Sequence, residues 1–377
     1  MAPERVPECR ARLGEGAVYN DRVRQQRIGE QTVTCVGCGD VRLAAAAARG
    51  VDARDVERAV QTALELGITL IEAADEEAAE RLCGDAVRAL RLRDRVVVAC
   101  RVPELAPRPG APRRDVLPER LPAVHVRQRI EASLRATRLE ALPLAQLPLR
   151  AEWRASPAWP ELAGTCVRLV REGKVLAWGA LWEGGSGGAN GHGGANGHGA
   201  GPTTLADEPW LATLSIPYSL CERGAEAAIG GAGGTGTGSG GAKAILARRP
   251  LAGGALAGIL GPGARLASHD DRRSLDEPAL ERIAVLAAKL APFVEREPPA
   301  ARSCDAARAA LERGRRPPHV EAVTAAELAL RFVIDRGAIA LPRLHRAERI
   351  PEAIAAAAAP PLSQALRDRL VELARDI

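Results

Sequence analysis

Three patterns in the chain could carry chemistry by residue type and spacing. Cys35-Val-Gly-Cys38 has the spacing of half a zinc site. A structural zinc needs four ligands, commonly two such pairs, and the sequence has no second Cys-x-x-Cys. The pair is therefore expected to be small buried hydrophobes rather than ligands or a redox couple. His192 and His198 lie in a six-residue Gly-rich unit that occurs twice, which reads as a solvated repeat. The run GGAGGTGTGSGG at 230–241 resembles a phosphate loop in composition but lacks the Gly-Lys-Ser/Thr ending. No metal is expected, and no nucleotide phosphate at that loop.

Composition narrows the setting. The chain has 377 residues and a net charge of +5, from 52 basic and 47 acidic side chains. These are spread along the sequence without a dense Lys/Arg block, so nucleic acid is not an expected partner. No apolar run approaches the ~20 residues that span a bilayer, and the first residues have no apolar core of a secretory signal. Eight cysteines without a dense framework suit reduced thiols and a cytoplasmic location. Aromatics make up 2% of residues, so the core must be built from Ala, Leu, Val and Ile.

The elements that would position a site alternate. Residues 1–27 read as a polar tail. Apolar strands are predicted at 33–37, 68–72, 95–99, 141–147, 174–181, 210–215, 242–247 and 338–342. Helical patterns fall between most of them, including 52–67, 76–90, 125–139 and 159–173. Apolar strands alternating with amphipathic helices indicate a parallel sheet. Eight of them indicate a closed (β/α)8 TIM barrel over 28–377, reactive at the C-terminal ends of its strands. Gly-rich insertions at 183–207 and 230–241 are expected to be flexible. A further irregular stretch, 297–322, is expected to hold a short helix.

Residues 63–101, ALELGITLIEAADEEAAERLCGDAVRALRLRDRVVVACR, resemble the aldo-keto reductase family, keeping Gly67, Ala74, Glu80, Leu82 and Gly84. The resemblance extends through VTCVGCGDVRL, EGKVLAWGAL, IPYSLCER (216–223), RRPLAGGALAG (248–258), DDRR (270–273) and AELALRFVI (326–334). It implies the barrel and a reaction in which NADPH delivers hydride to a carbonyl. In that reaction a Tyr donates the proton, a Lys and an Asp tune it, and a His orients the substrate.

Carried over by position, the Asp falls on Glu72, the Tyr on Glu77, the Lys on Arg101 and the His on Gln146. None of the four is retained. Glu72 and Arg101 keep the charge pattern of an ion pair. Glu77 is expected beside Arg101, ionised and a proton acceptor. The carboxamide-holding Ser-Asn becomes Leu181-Trp182 and the Gln after it Ser215. The ring that stacks on nicotinamide becomes Arg248, and the following Ser becomes Arg249. Near the C-terminus Arg343 replaces a Gly and His345 the Arg that holds the 2′-phosphate. Arg248, Arg343, His345 and Arg346 are thus the cofactor-binding candidates. Tyr218 matches a family residue under the rim and reads as packing.

The sequence therefore points to a catalytically degenerate aldo-keto-reductase-like protein acting by ligand or partner binding, the partner being a small molecule or a protein. The alternative is an NADPH-dependent oxidoreductase with an altered active site.

Overall fold

The computed structural model describes residues 23–106, 117–182, 203–232, 243–266, 270–294, 324–375 and 377. Its first elements are two short strands, β1 (Gln25–Ile28) and β2 (Gln31–Thr34), paired antiparallel. Eight parallel strands follow in sequential order: β3 (Cys38–Val41), β4 (Leu70–Ala73), β5 (Val97–Arg101), β6 (Leu144–Pro148), β7 (Trp178–Leu181), β8 (Leu211–Pro217), β9 (Ala244–Arg248) and β10 (Ile339–Leu341). The ends of the sheet meet. Val36 bridges Ala340 in parallel, and the Gly37 amide donates to the Ala340 carbonyl at 2.9 Å. Gly39 makes this seam possible, because a Cβ there would lie 2.5 Å from the Leu341 carbonyl oxygen.

The expected strand at 33–37 is divided. Its first residues belong to the hairpin, and the barrel strand begins at Cys38. Ile28 and Val33 are the reason. Both are fully buried, in one cluster with Leu70, Val97, Leu144, Leu246, Ile339 and Leu341. The hairpin therefore caps the lumen, and β1 begins inside the stretch read as tail. The Thr34 amide ties it to Thr69 Oγ1 at 2.8 Å.

Side chains alternate along each strand, one set inward and one outward. The outward set packs against helices that include α1 (Leu43–Ala47), α2 (Ala53–Glu65), α3 (Glu77–Ala89), α4 (Ala123–Thr137), α5 (Trp159–Arg171), α6 (Glu226–Ala232), α7 (Glu277–Leu290), α8 (Ala325–Asp335), α9 (Ile350–Ala358) and α10 (Gln364–Leu373). The retained Glu80 and Gly84 serve this layer. Buried Glu80 accepts from Arg129 at 2.6 Å and Ser133 at 2.8 Å, joining α3 to α4. A Cβ on Gly84 would lie 2.1 Å from the Thr137 carbonyl oxygen, so these helices touch backbone to backbone. Tyr218 packs likewise, stacked 6.2 Å from Phe332 with its hydroxyl on Glu226.

The Gly-rich insertions are not irregular throughout. Residues 203–206 form a helical turn, and α6 runs into the second insertion. The remainder of both, with His192 and His198, and the stretch 297–322 lie outside the described residues. No described helix is long and apolar enough to cross a membrane.

Candidate active site at the barrel mouth

β3, β4 and β5 each carry a charged residue at or next to the C-terminal end: Asp40, Glu72 and Arg101. Glu72 lies near the end of β4 and is 1% exposed. Arg101 closes β5, and its Nη2 donates to Glu72 Oε2 at 2.6 Å. Its Nη1 donates to Asp40 Oδ1 at 2.8 Å, so one guanidinium forks across two carboxylates. The Asp40 amide donates to the same Glu72 oxygen at 3.1 Å. Arg343, just past β10, pairs with the other oxygen of Asp40, and Arg42 lies 3.5 Å from its Oδ1.

Asp40 thus joins both sides of the barrel seam, and the sequence reading did not single it out. Its φ of +46° is left-handed, which Asp tolerates better than most residues. Burial by itself would raise the Asp40 carboxyl, but Arg101, Arg343 and Arg42 outweigh it and hold the group well below the usual carboxylate range. The signal available was an acid directly after Gly37-Cys38-Gly39.

Glu77 corrects the expectation that it would lie beside Arg101. It is the first residue of α3, exposed, and bonded to Arg81 one turn along at 2.5 Å. Helical spacing brings residues i and i+4 together on the outer surface. The carboxylates on Arg101 are Glu72 and Asp40 instead.

Gln146 stands next to Arg101 in register and opposite Gly179, which in turn faces Thr213. Gln146, Thr213 and Ser215 are fully buried. Neither amide atom of Gln146 has a hydrogen-bond partner among the described residues, nor has either hydroxyl; Oε1 of Glu72 is also unpaired. Gly179 leaves no spare room, since a Cβ there would lie 2.1 Å from Thr213 Oγ1.

The four cofactor candidates sit in different settings. Arg248 ends β9 and donates to the Trp182 carbonyl at 2.6 Å. Arg343 is turned onto Asp40, while Arg346 is exposed. His345 is 6% exposed, and burial, with help from Arg49 and Arg343, pushes its pKa down to about 4. Arg249 pairs with Glu222 at 2.8 Å. Cys35 and Cys38 are buried, and burial raises both thiols to about 12. Among the described residues no group of three His, Cys, Asp or Glu could hold a metal ion.

Residues 36–180, which run from the seam through most of β7, match the Aldo/keto reductase family. This segment is similar to that family. The barrel as a whole has the same fold. An aldo-keto reductase of Bacillus halodurans in its holo form aligns with a TM-score of 0.60 at 15% identity, over 93% of this chain and 96% of that one. A glycerol dehydrogenase of Gluconobacter oxydans aligns at 0.61 and 18%, over 93% and 94%. An aldo-keto reductase of Klebsiella pneumoniae in complex with NADPH aligns at 0.54 and 22%, over 93% and 95%. No curated protein matches the sequence.

Proposed function

We propose that this protein is a catalytically degenerate aldo-keto-reductase-like barrel that acts by binding a ligand or a partner at its rim. The observation that carries the reading is Arg101, forked between Glu72 at 2.6 Å and Asp40 at 2.8 Å. Carbonyl reduction needs a side chain that gives a proton to the developing alkoxide near neutral pH. Arginine does not release its proton in proteins. Gln146 does not titrate, and Glu77, at the tyrosine position, is committed to Arg81 on the outside of α3. The charge cluster ties β3, β4, β5 and the segment after β10 together, a structural use of former catalytic positions. Its buried free thiols fit a cytoplasmic setting.

A second reading keeps NADPH-dependent oxidoreduction with an altered site. It draws on the NADPH-bound structure of the same fold and on Arg248, Arg343 and Arg346, whose side chains suit phosphate. Incubating the purified chain with NADPH and a panel of aldehydes and ketones separates the two. Unchanged NADPH supports the first reading, and carbonyl-dependent consumption supports the second.

A further inference from the structure

Arg248 ends β9 and Trp182 follows β7, so the bond between them crosses the end of β8, which lies between those strands. The acceptor is held in place, because the Trp182 amide donates to the Ser215 carbonyl at 2.9 Å. On β8, between the two joined strands, Ser215 is buried, with Leu181 and Leu246 as its neighbours in register. In the resemblance these positions frame the nicotinamide: Leu181-Trp182 and Ser215 replace its carboxamide partners, and Arg248 its stacking ring.

We infer that Arg248 is a specificity-determining residue whose guanidinium occupies the nicotinamide position, so that this mouth does not take up NADP(H). Two physical effects act together. The latch lays a side chain across the end of β8, where the ring would enter. A fixed positive charge there also opposes the positive ring of the oxidised cofactor. The phosphate end offers little in return, because Arg343 is engaged by Asp40 and His345 is buried. The residues present therefore do not fit the cofactor that the fold family uses. The inference rests on reading this mouth as a former reductase site, yet it can fail separately.

The test is titration of NADPH into the full chain and into Arg248→Ala, followed by cofactor fluorescence and thermal midpoint. The expected result is no saturable signal from wild type at micromolar NADPH, and binding at least about tenfold tighter in the variant. Saturation of wild type at micromolar NADPH overturns the inference. So does a folded Arg248→Ala that stays as silent as wild type. If that variant melts, the uncharged and shorter Arg248→Gln carries the same comparison. Binding by wild type without carbonyl-dependent oxidation would defeat this inference and leave the proposed loss of reduction standing; oxidation would defeat the latter as well.

Discussion

Arg101 reaches across paired strands to Glu72, with 2.6 Å between Nη2 and Oε2, and the carboxylate is all but fully buried. Removing one partner of a buried pair leaves the other charge desolvated. Glu72→Gln keeps the shape and strips the charge, while Asp40 still offers Arg101 an acceptor. The expected loss is about 1–3 kcal/mol in urea unfolding. In a double-mutant cycle, Glu72→Gln with Arg101→Met should cost less than the sum of the single changes. Strict additivity would show that the two residues are not coupled.

His345 gives stability a pH dependence whose sign is fixed. Its folded pKa of about 4 lies below the ordinary 6.5, so between these values the unfolded chain binds the extra proton. Stability is complete above pH 6.5 and falls as pH drops toward 4, by up to about 3 kcal/mol. Asp40 adds its own loss at lower pH, since its folded pKa is depressed and its contribution vanishes as the carboxyl protonates. His345→Gln should flatten the slope between pH 4 and 6.5 in urea titrations. An unchanged slope would place the proton uptake elsewhere.

Two glycine-to-alanine changes should act in opposite directions. Gly84→Ala drives a methyl to 2.1 Å from the Thr137 carbonyl oxygen, a backbone atom that cannot step aside. Separating α3 from α4 should cost about 3 kcal/mol. Gly164, inside α5, has nothing nearer its added Cβ than Arg168 Nη1 at 3.5 Å. Gly164→Ala should stabilise by roughly 0.5–1 kcal/mol through helix propensity. Thermal midpoints of the two variants check both signs.

Rebuilding the missing residues should not rebuild the reaction. Glu72→Asp, Glu77→Tyr, Arg101→Lys and Gln146→His together restore the four side-chain types, but Arg248 still bonds Trp182 over β8. The quadruple variant is expected to leave NADPH unconsumed with every carbonyl offered. Turnover by a folded quadruple variant would show that the mouth accepts the cofactor as it stands.

The barrel was legible in the sequence because buried parallel strands such as ITLIE and RVVVA are nearly continuous apolar runs between helical patterns. The hairpin was not, since Gln25–Ile28 is mostly polar and Val33 reads equally well as the start of a barrel strand. Glu72 and Arg101 were legible as a pair because both charges stand at the ends of adjacent strands. Asp40 was missed because its role depends on Arg101 and Arg343, which reach it from distant parts of the chain and join nearby Arg42. The direction of Glu77 was missed because it depends on the entry angle of α3, which local sequence does not set. The partners of Arg248 and Arg343 are likewise products of tertiary closure.

Loss of carbonyl reduction at the mouth is read under single-turnover conditions. The full chain in excess is mixed with NADPH and an aldehyde, and cofactor absorbance is followed beside a protein-free control. The expected trace is indistinguishable from the control. Loss of NADPH matched by an equal amount of alcohol would contradict it.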